Sequence, residues 1–284
     1  MDLDRAYLRK IAIDALEEDF GDGDITCDIL IGRESSGSGS FIAKEDGVLA
    51  GFFMVGMIFE ILDPELKVVQ NLPEGAHFKK GDLIGGVYGD YSKMLAGERT
   101  ALNFLQHTCG VATQTHKLVS LIGNRDTKLL DTRKTLPCLR ALEKYAVRTA
   151  GGVNHRMGLY DMVLVKENHI HAIGGMKGTL RRIMDRMPRV PVEVEVTNFD
   201  ELKTALKYPI DRIMLDNFTP DEILKAIEIR SEKDYKVPFE ASGGINEENI
   251  ADYAATGVEY ISSGAITHSV KASDISLLFE VGEN

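Results

Sequence analysis

From Thr127 onward the chain settles into one rhythm, and that rhythm leaves few folds open. Short apolar runs at Lys128–Asp131, Met162–Val165, Val192–Val196, Arg212–Leu215, Pro238–Ala241 and Glu259–Ser262 read as strands. Amphipathic stretches separate them, among them Asp200–Lys207, Pro220–Arg230 and Glu247–Thr256. Strand, helix, strand is a βαβ unit, and repeated units build a parallel sheet. A doubly wound open sheet and a (β/α) barrel both satisfy the rhythm. The residues just past each strand favour the barrel: Arg133-Lys134, Lys166, Glu195, Asp216, Ser242-Gly243-Gly244 and Ser263-Gly264. In a barrel, six such strand ends converge on one mouth. No GxGxxG or GxxxxGK[ST] phosphate loop is present, which weakens the nucleotide-fold alternatives. The expectation is an α/β chain ending in a barrel of six or seven parallel strands.

The first third is built differently. Residues 4 to 18 place Leu8, Ile11, Ala12 and Leu16 on one helical face. The turn Gly21–Thr26 then closes with an N-cap; it lacks the ligand spacing of a calcium loop. Candidate strands come next at Gly39–Ala43, Gly47–Gly51, Lys67–Val69 and Leu83–Tyr88, with turns at Pro73-Glu74-Gly75 and Lys80-Gly81-Asp82 and a helix over Met54–Leu62. This reads as a small α+β domain with a mainly antiparallel sheet. A helix through Glu98–Leu105 is predicted to end or break at Gly110 and to resume over Ala112–Ile122.

Charge separates the classes of ligand. The chain of 284 residues carries a net charge of −11, which argues against binding along a nucleic-acid backbone. Yet from Asp131 to Lys166 there are seven Lys/Arg against three Asp/Glu. A basic mouth in an acidic protein suits a small anion. Cys27, Cys109 and Cys138 are far apart and form no CxxC pair, so neither a zinc cage nor a disulfide framework is expected, and a reducing cytoplasm fits. Cys109 and Cys138 read as packing residues. The acidic amphipathic N-terminus is not a signal peptide, and no apolar run reaches about 18 residues, so no membrane span is expected.

Each strand end has an ordinary reading beside a chemical one. Glu193 and Glu195 alternate with three valines, so both face one side. On an edge strand they would be solvated acids; in a barrel they face the lumen and need partners such as Lys134 or Lys166. Glu195 and Asp216 on neighbouring strands suit Mg²⁺, its waters or ribose hydroxyls. The glycine loops at 242–244 and 263–265 are common βα turns singly, but two in succession on the final strands match the usual barrel phosphate site. Arg133, Lys134, Arg156 and Lys166 would as single charges be a solvated face; converging, they suit carboxylates and phosphates. Geometry alone assigns no catalytic role to His155 or His169.

The segments GERTALNFLQHTCGVAT, DTRKTLPCLRALEKYAVRTAGGVNHRMGLYDMVLVKENH, VEVEVTN, IMLDNF, EASGGI and ISSGAITHS closely resemble the quinolinate phosphoribosyltransferase family across essentially the whole chain. One departure is Cys109, where the family often has serine. The resemblance implies an N-terminal α/β sandwich over residues 1–110, a catalytic barrel over 111–270, and a C-terminal helix over 271–284 returning to the first domain. It implies a cytoplasmic homodimer with shared sites, sometimes built into a hexamer. The implied substrates are quinolinate and phosphoribosyl pyrophosphate, with Mg²⁺; the implied products are nicotinate mononucleotide, pyrophosphate and CO₂. The implied quinolinate ligands are Arg99 from the neighbouring subunit, Arg133, His155, Arg156 and Lys166, with Thr132 and Lys134 beside them. Glu195 and Asp216 would meet the ribose and the metal, directly or through water; with Lys134 and Lys166 they are the expected catalytic groups. Ser242, Gly243, Gly244, Ser263, Gly264 and Ala265 would hold the 5′-phosphate, with His268 nearby. The competing readings are a relative acting on another ring acid such as nicotinate, a relative of the molybdenum-transport-associated protein of this fold, and a non-catalytic phosphosugar-binding barrel.

Overall fold

The computed structural model describes residues 3–31, 35–123, 125–186, 188–233 and 235–282. The chain divides into two compact units, Met1–His116 with Leu136–Gly151 and Val270–Asn284, and Lys117–Thr135 with Gly152–Ser269.

In chain order the first unit begins with α1 (Arg5–Phe20) and α2 (Ile25–Leu30). Asp4 caps α1 by accepting from the amides of Ala6 and Tyr7; Asp24 caps α2 through Thr26 and Cys27, so the Gly21–Thr26 turn does end in an N-cap. Next come β1 (Ser36–Ala43), β2 (Gly47–Val48), α3 (Phe52–Leu62), β3 (Lys67–Gln70), β4 (His77–Phe78), β5 (Leu83–Asp90) and the long α4 (Tyr91–Ile122). α1 buries Leu8, Ile11, Ala12 and Leu16, the stripe its spacing predicts. Together with Phe41, Phe52, Phe59, Phe78, Ile84 and Leu105 they form one core. Each large apolar side chain so buried contributes roughly 1.5–3 kcal/mol.

Three expectations in this unit fail. Gly110 does not end α4, which runs unbroken from Tyr91 to Ile122. A Cβ at Gly110 would lie 2.4 Å from the Lys271 carbonyl oxygen, so glycine is there to let the 270–272 backbone approach. Nor is the C-terminal segment a helix: Ile275–Val281 is a strand, β12, which pairs antiparallel with β1 in a sheet of order β12-β1-β5-β3. Cys138 is exposed, with φ of 64°, and does not pack. Cys109, by contrast, is buried against the Ala50 backbone, and burial pushes its thiol up to about 12, an inert packing residue.

Between α4 and β12 the chain runs β6 (Lys128–Leu130), α5 (Arg140–Thr149), β7 (Val163–Val165), α6 (Glu167–Ile173), α7 (Met176–Arg186), β8 (Val192–Val196), α8 (Phe199–Ala205), β9 (Arg212–Asp216), α9 (Pro220–Ser231), β10 (Phe239–Ser242), α10 (Ile250–Ala255), β11 (Tyr260–Ser262) and α11 (Ala265–His268). Of these, α5 belongs to the first unit. Pro220 stands at the start of α9 behind the Thr219 cap, in a capping box with Glu222.

The second unit is a six-stranded parallel sheet in the order β6-β11-β10-β9-β8-β7. Its last strand in the chain, β11, pairs with its first, β6, which is how a sheet curls into a barrel. A seventh position is reduced to one residue: Val153 makes a single parallel bridge to Leu130. All five residues of β8 are buried, valines and glutamates alike, as a strand with both faces covered requires. No described helix is long and apolar enough to cross a membrane.

Candidate active site

The carboxyl ends of these strands enclose a cavity of about 730 Å³. Fifteen residues expected at the site line it: Thr132, Arg133, Lys134, His155, Arg156, Lys166, Glu195, Asp216, Ser242, Gly243, Gly244, Ser263, Gly264, Ala265 and His268. All belong to the second unit. Arg99 lies on α4 in the first unit and does not line the cavity.

Asp131 organises the basic side. Its carboxylate is fully buried and accepts the main-chain N–H of His155 (2.8 Å) and the amide of Asn154 (2.6 Å). This fixes the loop after α5 that carries Arg156. The Arg156 guanidinium donates to the Met162 carbonyl (3.2 Å), and burial beside Arg133 lowers its proton affinity. Two neighbouring guanidiniums at one cavity wall suit an anionic ligand. Lys166, at the end of β7, reaches Glu195 at 3.0 Å, the partnership its position predicts. Glu193 does not pair with Lys134 or Lys166; its near neighbours are His155 and Arg212.

Asp216 sits opposite. Burial and the neighbouring Glu195 raise its carboxyl above the ordinary range. Asn217 donates to it (2.8 Å) from a left-handed backbone with φ of 58°. Two crowded carboxylates form a hard-oxygen pair of the kind that Mg²⁺ accepts, with water completing its shell.

The glycine loops are tied together. Ser263 Oγ donates to the Ile245 carbonyl at 2.7 Å, and Thr267 Oγ1 donates to the Lys134 carbonyl at 2.8 Å. Gly243 has φ of 106°, and a Cβ there would lie 2.2 Å from the Asn217 amide oxygen. Only glycine permits that close turn. Gly264 is packed by the His268 ring and the Lys134 stem, so both side chains reach the same loop.

Sequence reasoning missed Asn217, Asn246 and Glu240, which also line the cavity. The dipeptide Asp216-Asn217 offered one signal, since Asn tolerates positive φ at a strand end. Glu240, alternating with Ser242 on β10, offered another: the period of two that placed Glu193 with Glu195 applies to it equally.

Family models match nearly the whole chain: the quinolinate phosphoribosyl transferase N-terminal domain over residues 24–109, and the C-terminal domain over 111–278. The chain belongs to the quinolinate phosphoribosyltransferase family. Members with similar sequences include the nicotinate-nucleotide pyrophosphorylase (carboxylating) of Mycobacterium leprae, 40% identical over 93% of this chain and 94% of the relative. The chloroplastic protein of that name from Oryza sativa subsp. japonica is 41% identical over 93% and 75%. Among solved structures, nicotinate-nucleotide pyrophosphorylase from Francisella tularensis superposes with a TM-score of 0.92 at 38% identity, covering 99% of this chain and 98% of that one. Family membership thus accounts for the two-domain build.

Proposed function

We propose that this chain transfers phosphoribosyl from phosphoribosyl pyrophosphate to quinolinate and releases CO₂, giving nicotinate mononucleotide and pyrophosphate. The carrying observation is one cavity with three chemically distinct sides: Arg133, Lys134, Arg156 and Lys166; the Glu195–Asp216 pair; and the two tied glycine loops. A dicarboxylate, a ribose and a terminal phosphate need those three surroundings in one place.

In this reading Arg133, Arg156 and Lys166 bind the two ring carboxylates, and charge-assisted bonds orient the ring nitrogen toward C1 of the ribose. The ring nitrogen attacks C1 as the bond to pyrophosphate breaks. Glu195 and Asp216 lie where positive charge develops on the ribose and stabilise it electrostatically. The loops at 242–244 and 263–265 hold the 5′-phosphate, with Lys134 and His268 alongside. Mg²⁺ would be held by Glu195 and Asp216, directly or through water, and would neutralise charge on the departing pyrophosphate. The ribosylated ring nitrogen is cationic, so the electron pair left at C2 when CO₂ departs is stabilised by the substrate itself. That pair then takes a proton from water to give the product, and no protein base is required for the step. Arg99 is supplied by a second copy of the chain, a homodimer with shared sites; that it is not among the residues lining the cavity supports this.

Release of labelled CO₂ from quinolinate decides the reading. It should require phosphoribosyl pyrophosphate and Mg²⁺ together. Transfer to nicotinate with no reaction of quinolinate would promote the nicotinate alternative, and binding of phosphosugar without turnover would promote the non-catalytic barrel.

A further inference from the structure

At the floor of the cavity and into the barrel interior lies a charged cluster that the reaction above does not use. Glu193 lies two residues below Glu195 on β8, Glu240 two below Ser242 on β10, and Arg212 four below Asp216 on β9. Both acids are fully buried. Arg212 Nη1 donates to Glu240 Oε2 at 2.8 Å and lies 3.9 Å from Glu193 Oε2, with its guanidinium over the Tyr260 ring. His155 completes the cluster: its Nε2 is 2.9 Å from Glu193 Oε2 and 3.5 Å from Glu240 Oε2.

A histidine and two acids at such distances suggest a metal site, and the hydrogen bonding argues against one. His155 Nδ1 accepts the main-chain N–H of Arg156 at 2.7 Å. An accepting ring nitrogen carries no hydrogen, so in the neutral ring the hydrogen is on Nε2, which then has no lone pair for a metal. Arg212 already supplies the cation. His155 is therefore held at three points: its main-chain N–H on Asp131, its Nδ1 on Arg156, and its Nε2 against the acids. Glu193 shares a hydrogen bond with Glu240, and no N–H donor among the described residues meets either of its oxygens in line, so its hold on the ring is one of electrostatic closeness.

We propose that Glu193, Glu240 and Arg212 form a positioning cluster: they fix the imidazole of His155, which fixes the Arg156 main chain, so that His155 acts through Arg156 and not as a direct ligand of the substrate. The proposal rests on reading the basic side of the cavity as the ring-acid pocket. A side chain only 6% exposed, with its outer nitrogen turned to buried acids and away from solvent, is held for positioning rather than offered to a ligand.

Two substitutions separate the roles. Asn places an amide oxygen where Nδ1 lies and keeps an acceptor for the Arg156 N–H; Gln reaches the Nε2 position and loses that acceptor. His155→Gln should therefore show a KM for quinolinate at least about tenfold above that of His155→Asn, with kcat and the KM for phosphoribosyl pyrophosphate little different between them. Glu193→Gln, which still offers an oxygen to His155, should stay near wild type, while Glu193→Ala should raise the quinolinate KM. The opposite order, Gln retaining affinity and Asn losing it, overturns the proposal. Wild-type protein labelled with ¹⁵N-histidine gives a reading free of folding effects, with His155 assigned by its loss in His155→Asn. The Nε2–H tautomer, unchanged on saturation with quinolinate, is expected. An Nδ1–H tautomer, or an Nε2 signal that moves with quinolinate, overturns it. Absence of CO₂ release from wild type would instead count against the assigned reaction, and the tautomer of the free protein would still judge the positioning cluster.

Discussion

Replacing Glu240 by Gln should make the protein more stable at neutral and mildly alkaline pH, and the gain should vanish in acid. Burial, and then the charge of Glu193, push the Glu240 carboxyl from an ordinary 4.5 up to about 7; His155 and Arg212 offset only part of that. Below about pH 4.5 the group is protonated in both folded and unfolded chains and contributes nothing. As pH rises toward 7, the unfolded chain releases this proton first, so the folded state binds more protons and loses stability. A displacement from 4.5 to about 7 costs at most ~3 kcal/mol once both states are ionised. Gln cannot ionise, and its amide oxygen still accepts from Arg212, so Glu240→Gln escapes that cost. The chain has no Trp, so urea unfolding is best followed by circular dichroism, at about pH 5 and about pH 8. The stability of the variant relative to wild type should rise between these two values. A difference that is flat with pH, or that turns toward wild type as pH rises, would show that Glu240 stays ionised beside Arg212, and the reasoning would fail.

The same geometry sets other outcomes. Quinolinate should bind at least roughly tenfold more tightly than nicotinate, because its second carboxylate gains charge-assisted bonds worth on the order of 1.5–3 kcal/mol each; calorimetry on wild type and Arg133→Ala should show most of that preference lost in the variant. Glu195→Gln and Asp216→Asn should lower kcat more than quinolinate affinity, with each tenfold in rate equal to about 1.4 kcal/mol; normal kcat with weakened quinolinate binding would reverse their assignment. Arg99→Ala mixed with Lys166→Ala should recover activity in re-formed heterodimers, and no recovery between two folded, dimeric variants would remove the shared site. Gly110→Ala should lower thermal stability by roughly 1–3 kcal/mol, since its methyl would meet backbone at 2.4 Å; an unchanged melting temperature would show that the 270–272 segment yields freely.

What the sequence determined by itself is what neighbours along the chain decide. The α1 stripe, the N-cap that closes the Gly21–Thr26 turn, the Thr219 cap and the strand-helix rhythm rest on periods of 3.6 and 2 and on local hydrogen bonds, and all were legible. The mouth residues were legible for the same reason: a parallel barrel puts every strand's carboxyl end on one side, so the strand ends taken in order spell out the site. Contacts across the barrel and between distant segments were not. Gly110 carries a local signal to break a helix, and only the passing 270–272 backbone shows that it serves packing. The run Ile275–Val281 is apolar without a decisive period, and pairing with β1, more than two hundred residues earlier, makes it a strand. Glu193 was expected to meet Lys134 or Lys166, and Arg212 and Glu240 went unassigned, because partners on neighbouring strands leave no mark along the chain. Pairing of β8, β9 and β10 brings the acids and the arginine together, closure of the sheet, β11 against β6, carries His155 to them, and the low dielectric of that interior makes their pairing obligatory.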